Sequence, residues 1–363
     1  FCLYMRVLFC CFFLALSAGY SSLALANELP KNFASLPVDV QALLLEYAFF
    51  NDSVTEKWGQ DANFASETAY VKYLDDYLSR AQIDFEKGQL IVETQAASEP
   101  KLQLKNAIVS ALLTPDDANK VDLFSAREIT PGGKPFLLGQ VKDQHGKNIQ
   151  YTWRAQQYAQ HLIDTQLQIL ESPQGLTYKV DIPLSKNHKK VAAKGVHAYV
   201  EEASDRFNLP ASLILGIIET ESSFNPYAVS HANAYGLMQI IPRTAGADVF
   251  KLIFKKSGKP SRQYLFNSRN NILTGSAYLK ILRDRYLSKI QHPTSQLYCI
   301  ISAYNGGAGN VFKTFHSSRK KAIERINALS VEDVLWRLRK KQPSLEARRY
   351  LEKVLANQQK HEA

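Results

Sequence analysis

The chain has 363 residues, an apolar content of 45% and a formal net charge of +10 at pH 7. This length exceeds that of a typical single domain and predicts two domains, with enough apolar side chains for two cores. The positive charge predicts an anionic partner, which leaves nucleic acid, an acidic membrane or a polyanionic polymer.

The first 26 residues are predicted to be a secretory signal peptide. Met5-Arg6 precedes the apolar run 7–16, which is too short for a membrane span, and Ala24-Leu25-Ala26 fits an A-x-A cleavage site. Because Phe1 is an unusual first residue, we expect translation to start at Met5. Export argues against nucleic acid and favours peptidoglycan, with its peptide carboxylates, as the anionic partner.

Cleavage after Ala26 would leave Cys299 as the sole cysteine, so no internal disulfide is expected. Cys299 lies in the apolar run 297–303, without a basic neighbour in sequence, and this predicts a buried thiol without catalytic use. The other three cysteines, Cys2, Cys10 and Cys11, belong to the signal region.

Residues 27–188 are predicted to form an α+β domain with a small antiparallel sheet. Apolar spacing predicts helices at 38–50, 67–80 and 156–170. Period-2 alternation and turn residues predict one hairpin from 83–85 and 90–94, another from 136–141 and 149–153, and a strand at 176–183. This part of the chain contains no catalytic motif, and its role stays open.

The polar, basic stretch 183–190 is the predicted domain boundary, and strand signals disappear after it. Residues 189–363 are predicted to form an all-α domain. Its expected helices are 193–207, 211–222, 270–288, 295–305, 308–315, 331–340 and 345–356.

The predicted helix 211–222 carries two glutamates with different expected environments. Asn208 is its candidate N-cap, and Pro210 fits the first turn. Glu221 continues the face of the isoleucines at 214, 217 and 218, whereas Glu219 is expected to point to nearly the opposite, unpacked side. Because burial disfavours a charged carboxylate, we expect a raised pKa for Glu221, as in a general acid.

Four short motifs occur from Glu221 onward, and the first of them begins with Glu221 itself. They are Glu221-Ser222-x-x-Asn225-Pro226 with Ser230, Gly236-Leu237-Met238-Gln239 with Pro242-x-Thr244-Ala245, Ala303-Tyr304-Asn305-Gly306-Gly307, and Glu346-Ala347-Arg348-Arg349-Tyr350. In this order and spacing they resemble the lytic transglycosylases of the goose-lysozyme-like superfamily, over residues 190–355. The preceding chain is similar to the amino-terminal region of one branch, membrane-bound lytic murein transglycosylase C.

The resemblance implies a lysozyme-like catalytic domain with Glu221 as the catalytic acid. It implies that the substrate-binding cleft is formed by Ser230, Met238, Gln239, Tyr304, Asn305, Glu346 and Tyr350. Several of these residues have ordinary structural alternatives: Met238 as core filler, Tyr304 as a half-buried core residue, and Glu346 with Tyr350 as a surface pair one turn apart. Ile241 stands where many relatives have methionine.

Ordinary glycosidases use two carboxylates, and the motif around Glu221 offers no evident second one. The resemblance implies a lytic transglycosylase, in which Glu221 protonates the oxygen between MurNAc and GlcNAc. The resulting carboxylate then takes the proton of the MurNAc C6 hydroxyl as a 1,6-anhydro ring closes. No cofactor is expected, and the scattered histidines lack the spacing of a metal site.

Two other functions stay open from the sequence: a hydrolase like goose lysozyme, and a non-catalytic envelope protein that binds peptidoglycan. The expected location is the periplasm of a Gram-negative-type envelope, with glycan strands as the partner and any partner in the cell-wall machinery unidentified. Relatives in this branch are commonly anchored to the outer membrane through a cysteine at the signal cleavage point. Cys10 and Cys11 lie too early in the apolar run for this, so we expect a soluble periplasmic form, with membrane association as the alternative.

Overall fold

A computed structural model of the chain describes residues 30, 32–117, 120–130 and 132–362. The predicted signal peptide, residues 1–26, therefore lies outside the described residues. Within the described ranges, none of the helices combines the length and the apolarity that crossing a membrane requires.

The first domain contains one antiparallel sheet of five strands in the order β1-β2-β3-β5-β4. The strands are β1 (Ala69–Leu74), β2 (Ser79–Asp84), β3 (Gln89–Thr94), β4 (Gln168–Ser172) and β5 (Gly175–Pro183). The helices are α1 (Val38–Trp58), α2 (Pro100–Leu112) and α3 (Thr152–Gln166). The predicted α+β class is confirmed, as are the hairpin formed by β2 and β3 and the strand β5.

The helix predicted at residues 67–80 is wrong, since this segment forms β1, a turn and the start of β2. Tyr70, Tyr73 and Leu74 recur at helical spacing, but β1 is buried on both faces, so the alternation typical of a strand is missing. The hairpin predicted from 136–141 and 149–153 is also wrong. Only an isolated bridge joins Lys142 to Asn148 there, and Thr152 already begins α3.

The second domain is all-α, as predicted. Its helices are α4 (His188–Phe207), α5 (Ala211–Ser222), α6 (Ala247–Val249), α7 (Arg262–Phe266), α8 (Ser268–Ile281), α9 (Pro293–Gly306), α10 (Ala308–Phe315), α11 (Arg319–Ala328), α12 (Val331–Lys341) and α13 (Leu345–Lys360). Helical turns with π-type hydrogen bonds cover Pro242–Gly246, Phe250–Phe254 and Leu282–Tyr286. The sequence patterns missed α2, α7, α11 and the segment 242–254.

Helix α5 begins where predicted, but with different residues at its start. Asn208 has a φ of +50° and ends α4, so it is not the N-cap of α5; Pro210 occupies that position without a side-chain cap. Along its length α5 packs closely against α13. A Cβ on Gly216 would lie 2.8 Å from the backbone nitrogen of Gln358, so only glycine permits this approach of the two helices.

The expectation that Glu219 points away from the packed side is wrong. Its side chain is only 8% exposed, because the end of α13 covers this face of α5. Glu219 Oε2 lies 2.9 Å from His361 Nε2, and Oε1 lies 3.4 Å from Lys360 Nζ and 3.9 Å from Lys189 Nζ. Burial raises the pKa of Glu219, but the hydrogen bond with His361 and the two lysine charges outweigh it and leave the pKa below its ordinary value.

The two domains pack against each other beside the end of α5. The buried Tyr227 hydroxyl donates to the carbonyl of Pro115 at 2.7 Å, and its ring contacts Tyr70 of β1. The Val229 N–H donates to the carbonyl of Ser66 at 3.3 Å. These contacts bring the segment that precedes β1 next to the loop that follows α5.

Candidate active site

Glu221 lies at the last turn of α5 and opens onto a cavity of about 750 Å³. The predicted site residues that line this cavity with it are Ser230, Gln239, Tyr304, Asn305, Glu346 and Tyr350. They come from separate motifs, which the loop after α5, the end of α9 and the start of α13 bring together. The cavity is also lined by Glu67 and Thr68 of the first domain.

Met238 does not line the cavity. Its side chain is fully buried against Gly275, where an added Cβ would lie 2.5 Å from the Met238 sulfur. Its backbone carbonyl accepts a hydrogen bond of 2.8 Å from the Tyr304 hydroxyl. Met238 therefore supports the cleft from behind, and Ile241, three residues further on, supplies the side chain that lines it.

The loop that carries Gln239 is fixed by side chains that have no exposure to solvent. The Ser222 hydroxyl donates to the carbonyls of Ile218 (3.0 Å) and Leu237 (2.9 Å), which joins the end of α5 to this loop. Gln239 has a φ of +47°, a left-handed conformation that costs free energy in a residue with a side chain. Its surroundings must therefore hold it in place.

Asn271 of α8 makes the largest contribution to holding this loop, and sequence reasoning missed it. The Oδ1 atom accepts from the Met238 N–H at 2.8 Å, and Nδ2 donates to the carbonyls of Tyr235 and Leu265 at 2.7 Å each. The side chain is fully buried. The sequence signal that could have revealed Asn271 is an amide side chain directly before the apolar pair Ile272-Leu273. An amide that is buried with apolar residues needs hydrogen-bond partners, and these are often backbone groups.

Gln239 lines the cavity and carries a hydrogen-bond acceptor that no described residue uses. Its Nε2 donates to the carbonyl of Gly236 at 2.9 Å, while its Oε1 is buried and has no partner among the described residues. The Ser230 hydroxyl, in contrast, accepts from the Ala234 N–H at 3.1 Å and so stabilises its own turn. A ligand N–H or O–H group would satisfy the free oxygen of Gln239.

The pKa of Glu221 is raised to about 8. Burial is the main cause, the hydrogen bond from Tyr350 opposes it, and the negative charges of Glu346 and Glu67 raise the pKa further. The Tyr350 hydroxyl is buried and makes no hydrogen bond of standard geometry with any described residue, so its interaction with Glu221 is a loose one. At neutral pH Glu221 is therefore mainly protonated and can donate a proton into the cavity.

The sequence-based expectation of a lone carboxylate needs correction, because Glu67 and Glu346 line the same cavity. Glu346 is exposed, and its Oε1 accepts from Asn305 Nδ2 at 2.8 Å. Glu67 could not have been foreseen, since it belongs to the other domain and its neighbours carry no motif. Both carboxylates act on Glu221 in the same direction, by opposing its ionisation.

Comparison with known proteins gives consistent matches. Residues 37–195 match the family model described as membrane-bound lytic murein transglycosylase C, N-terminal domain, and residues 198–327 match the transglycosylase SLT domain. Curated proteins named membrane-bound lytic murein transglycosylase C are 45% identical in Serratia proteamaculans (84% of this chain, 86% of the relative) and 44% identical in Klebsiella pneumoniae (84% and 85%). The Yersinia pestis protein of that name is 44% identical, over 86% of this chain and 87% of the length of the relative.

Proposed function

The chain belongs to the membrane-bound lytic murein transglycosylase C family, and from that membership we propose that Glu221 acts first as the acid and then as the base of murein cleavage. The protein is a peptidoglycan lytic transglycosylase. Enzymes of this kind cleave the β-1,4 bond between MurNAc and GlcNAc and leave a 1,6-anhydro-MurNAc end. The observation that carries the role of Glu221 is its raised pKa at the floor of the cavity.

In the first step the protonated Glu221 gives its proton to the glycosidic oxygen. The bond between this oxygen and C1 of MurNAc breaks, both electrons leave with the oxygen, and the N-acetyl group of the substrate stabilises the positive charge at C1. In the second step the Glu221 carboxylate takes the proton of the MurNAc C6 hydroxyl as that oxygen bonds to C1. Glu221 is protonated again, and no water is consumed.

The other acids have features that argue against the same role. Glu219 lies outside the cavity and is paired with His361, Lys360 and Lys189, so its pKa is low and it has no proton to give. Glu346 is exposed and already bonded to Asn305. Among the described acids that line the cavity, Glu221 is the one with a raised pKa, and the buried hydroxyl of Tyr350 lies beside it.

Two neighbouring residues are proposed to position the glycan and the acid. The free Oε1 of Gln239 is suited to accept a hydrogen bond from a sugar N–H or O–H group. Tyr304 holds the backbone beneath Gln239 through its bond to the Met238 carbonyl, so it sets the cleft wall. Both assignments rest on hydrogen bonds: the Tyr304 hydroxyl has a backbone partner, whereas Gln239 Oε1 has none among the described residues.

The pH dependence of kcat/KM tests the cause of the raised pKa. Activity requires protonated Glu221, so kcat/KM should fall as the pH rises through about 8 in the wild type. Glu67→Gln removes a repelling charge, which lowers the pKa and moves this fall to lower pH. Tyr350→Phe removes a hydrogen bond that favours the carboxylate, which raises the pKa and moves the fall to higher pH.

Tyr158→Phe is the matched control for the tyrosine variant, because Tyr158 is mainly buried in the first domain and lies outside the cavity. Its profile should coincide with that of the wild type. Shifts of the same sign in Glu67→Gln and Tyr350→Phe would contradict the proposed electrostatics.

Cleavage of sacculi in water enriched in ¹⁸O separates the transglycosylase from the two other functions. A transglycosylase releases anhydro-muropeptides without solvent oxygen, as measured by mass spectrometry. A hydrolase releases products heavier by one water that carry the label at C1. Binding to sacculi without any released product would instead indicate a non-catalytic peptidoglycan-binding protein.

We infer that the protein works in the periplasm, at the membrane that the name of its relatives indicates. Murein lies in that compartment, and the signal sequence predicted for residues 1–26 supports export. Cell fractionation tests this: the protein should appear with the envelope and the periplasmic contents, and its retention in the cytosol would contradict the inference.

A further inference from the structure

Helix α13 presents two unpaired cations to the cavity. Arg349 and Lys353 are one helical turn apart, both are exposed, and both line the cavity with Glu221. Neither has a hydrogen bond or an ion pair with any described residue. The other basic side chains of α13 are engaged, since Arg348 donates to the carbonyl of Gln342 and Lys360 contacts Glu219.

The two cations lie at different distances along α13 from Glu346, the acid of this helix that lines the cavity. Glu346 lies at the start of the helix, bonded to Asn305, and Tyr350 follows beside Glu221. Lys353 is seven residues beyond Glu346, which corresponds to about 10 Å along the helix axis. Arg349 lies three residues beyond Glu346, about 4.5 Å along the axis, and makes no ion pair with it. Both cations are therefore available to a group that enters the cavity.

The hydroxyl and N-acetyl groups of the sugar rings carry no charge with which these cations could pair. The murein strand, however, carries peptide stems on MurNAc, and the stems end in and contain carboxylates. A guanidinium group binds a carboxylate through two parallel hydrogen bonds, and a lysine one turn away adds a second positive charge. The charges that the chain leaves unpaired thus match the charged part of the substrate.

We propose that Arg349 and Lys353 bind a carboxylate of the peptide stem and make the enzyme prefer stem-bearing over denuded glycan strands. This inference rests on the proposed function, since it assumes murein as the substrate. It assigns Arg349 and Lys353 to substrate selection and leaves the chemistry of bond cleavage to Glu221.

The test compares two forms of one substrate. Glycan strands from sacculi are used as isolated and after an amidase has removed their stems, and kcat/KM is measured on each. The amidase leaves a lactyl carboxylate on each MurNAc, so the comparison measures the effect of the carboxylates of the stem itself. The wild type should prefer stem-bearing strands, and the ratio of the two values should fall by about tenfold in the double variant Arg349→Gln/Lys353→Gln. The preference of the wild type should also weaken with added salt, because the cations are exposed.

The control variant is Lys101→Gln/Lys194→Gln. It also removes two positive charges, but from exposed positions outside the cavity. It should keep the wild-type ratio, and all three proteins should have the same melting temperature. An unchanged ratio in Arg349→Gln/Lys353→Gln, or an equal loss on both substrates, would overturn the inference. A wild type that releases no anhydro product from either substrate would instead overturn the proposed function.

Discussion

Glu221→Gln is expected to reduce the rate of muropeptide release from sacculi by about 10²–10⁴-fold, the range typical of general acid–base groups. Glutamine nearly preserves the shape of the side chain but has no proton of suitable acidity to give to the glycosidic oxygen. It also cannot take the proton of the C6 hydroxyl. One substitution therefore removes both proposed roles at once.

The matched control for this variant is Glu332→Gln, because Glu332 is exposed on α12 and outside the cavity. It should retain the wild-type rate. Retention of more than a tenth of the rate by Glu221→Gln, with the same 1,6-anhydro products, would contradict the assignment of Glu221.

The Glu221→Gln variant should not be less stable than the wild type. The raised pKa means that the fold favours the protonated form, so the wild type loses stability progressively as the pH rises from the ordinary value of the carboxyl group, about 4.3, to about 8. Glutamine cannot ionise, and the melting temperature of the variant should exceed that of the wild type above this pH. A lower melting temperature at all pH values would mean that the activity loss reflects damage to the fold.

Asn271→Ala is expected to lower the free energy of unfolding by about 3 kcal/mol or more, because it leaves three buried backbone groups without their partner. These are the Met238 N–H and the carbonyls of Tyr235 and Leu265. Urea denaturation followed by circular dichroism measures the loss. The folded fraction should also show weaker activity, since the loop that carries Gln239 loses its main support.

Asn270→Ala serves as the control for this substitution. Asn270 is the adjacent residue of α8, and its side chain makes no hydrogen bond with any described residue. Loss of the Asn270 side-chain amide should change the free energy of unfolding by no more than about 0.5 kcal/mol. Equal effects of the two substitutions would show that the hydrogen bonds of Asn271 do not hold the loop.

The sequence pointed to Glu221 as the candidate acid, and the structure supplies a different reason for proposing it. Helical phase separated Glu221 from Glu219 by assuming one packed side and one solvent side. In the structure both are packed, because α13 covers the second side with residues more than a hundred positions later in the chain. What distinguishes them is charge: Glu219 is surrounded by three basic groups, whereas Glu221 has a tyrosine and two carboxylates as neighbours.

Helices such as α12 and α13 were predictable because their buried residues form one apolar stripe. The strand β1 was mistaken for a helix because it is buried on both faces, and burial on both faces removes the period-2 pattern. The contribution of Glu67 depends on how the two domains pack, which local periodicity does not encode. For the same reason, Met238 could be recognised as part of a motif but not as a residue behind the cavity wall.

Infrared titration of the Glu221 carboxyl group tests the central claim most directly. The difference spectrum between the wild type and Glu221→Gln isolates the carbonyl band of this single protonated acid. We expect the band to be present at neutral pH and to disappear with a midpoint near pH 8. A midpoint near the ordinary value for glutamic acid, about 4.3, would show that Glu221 is already ionised at neutral pH and would contradict the account.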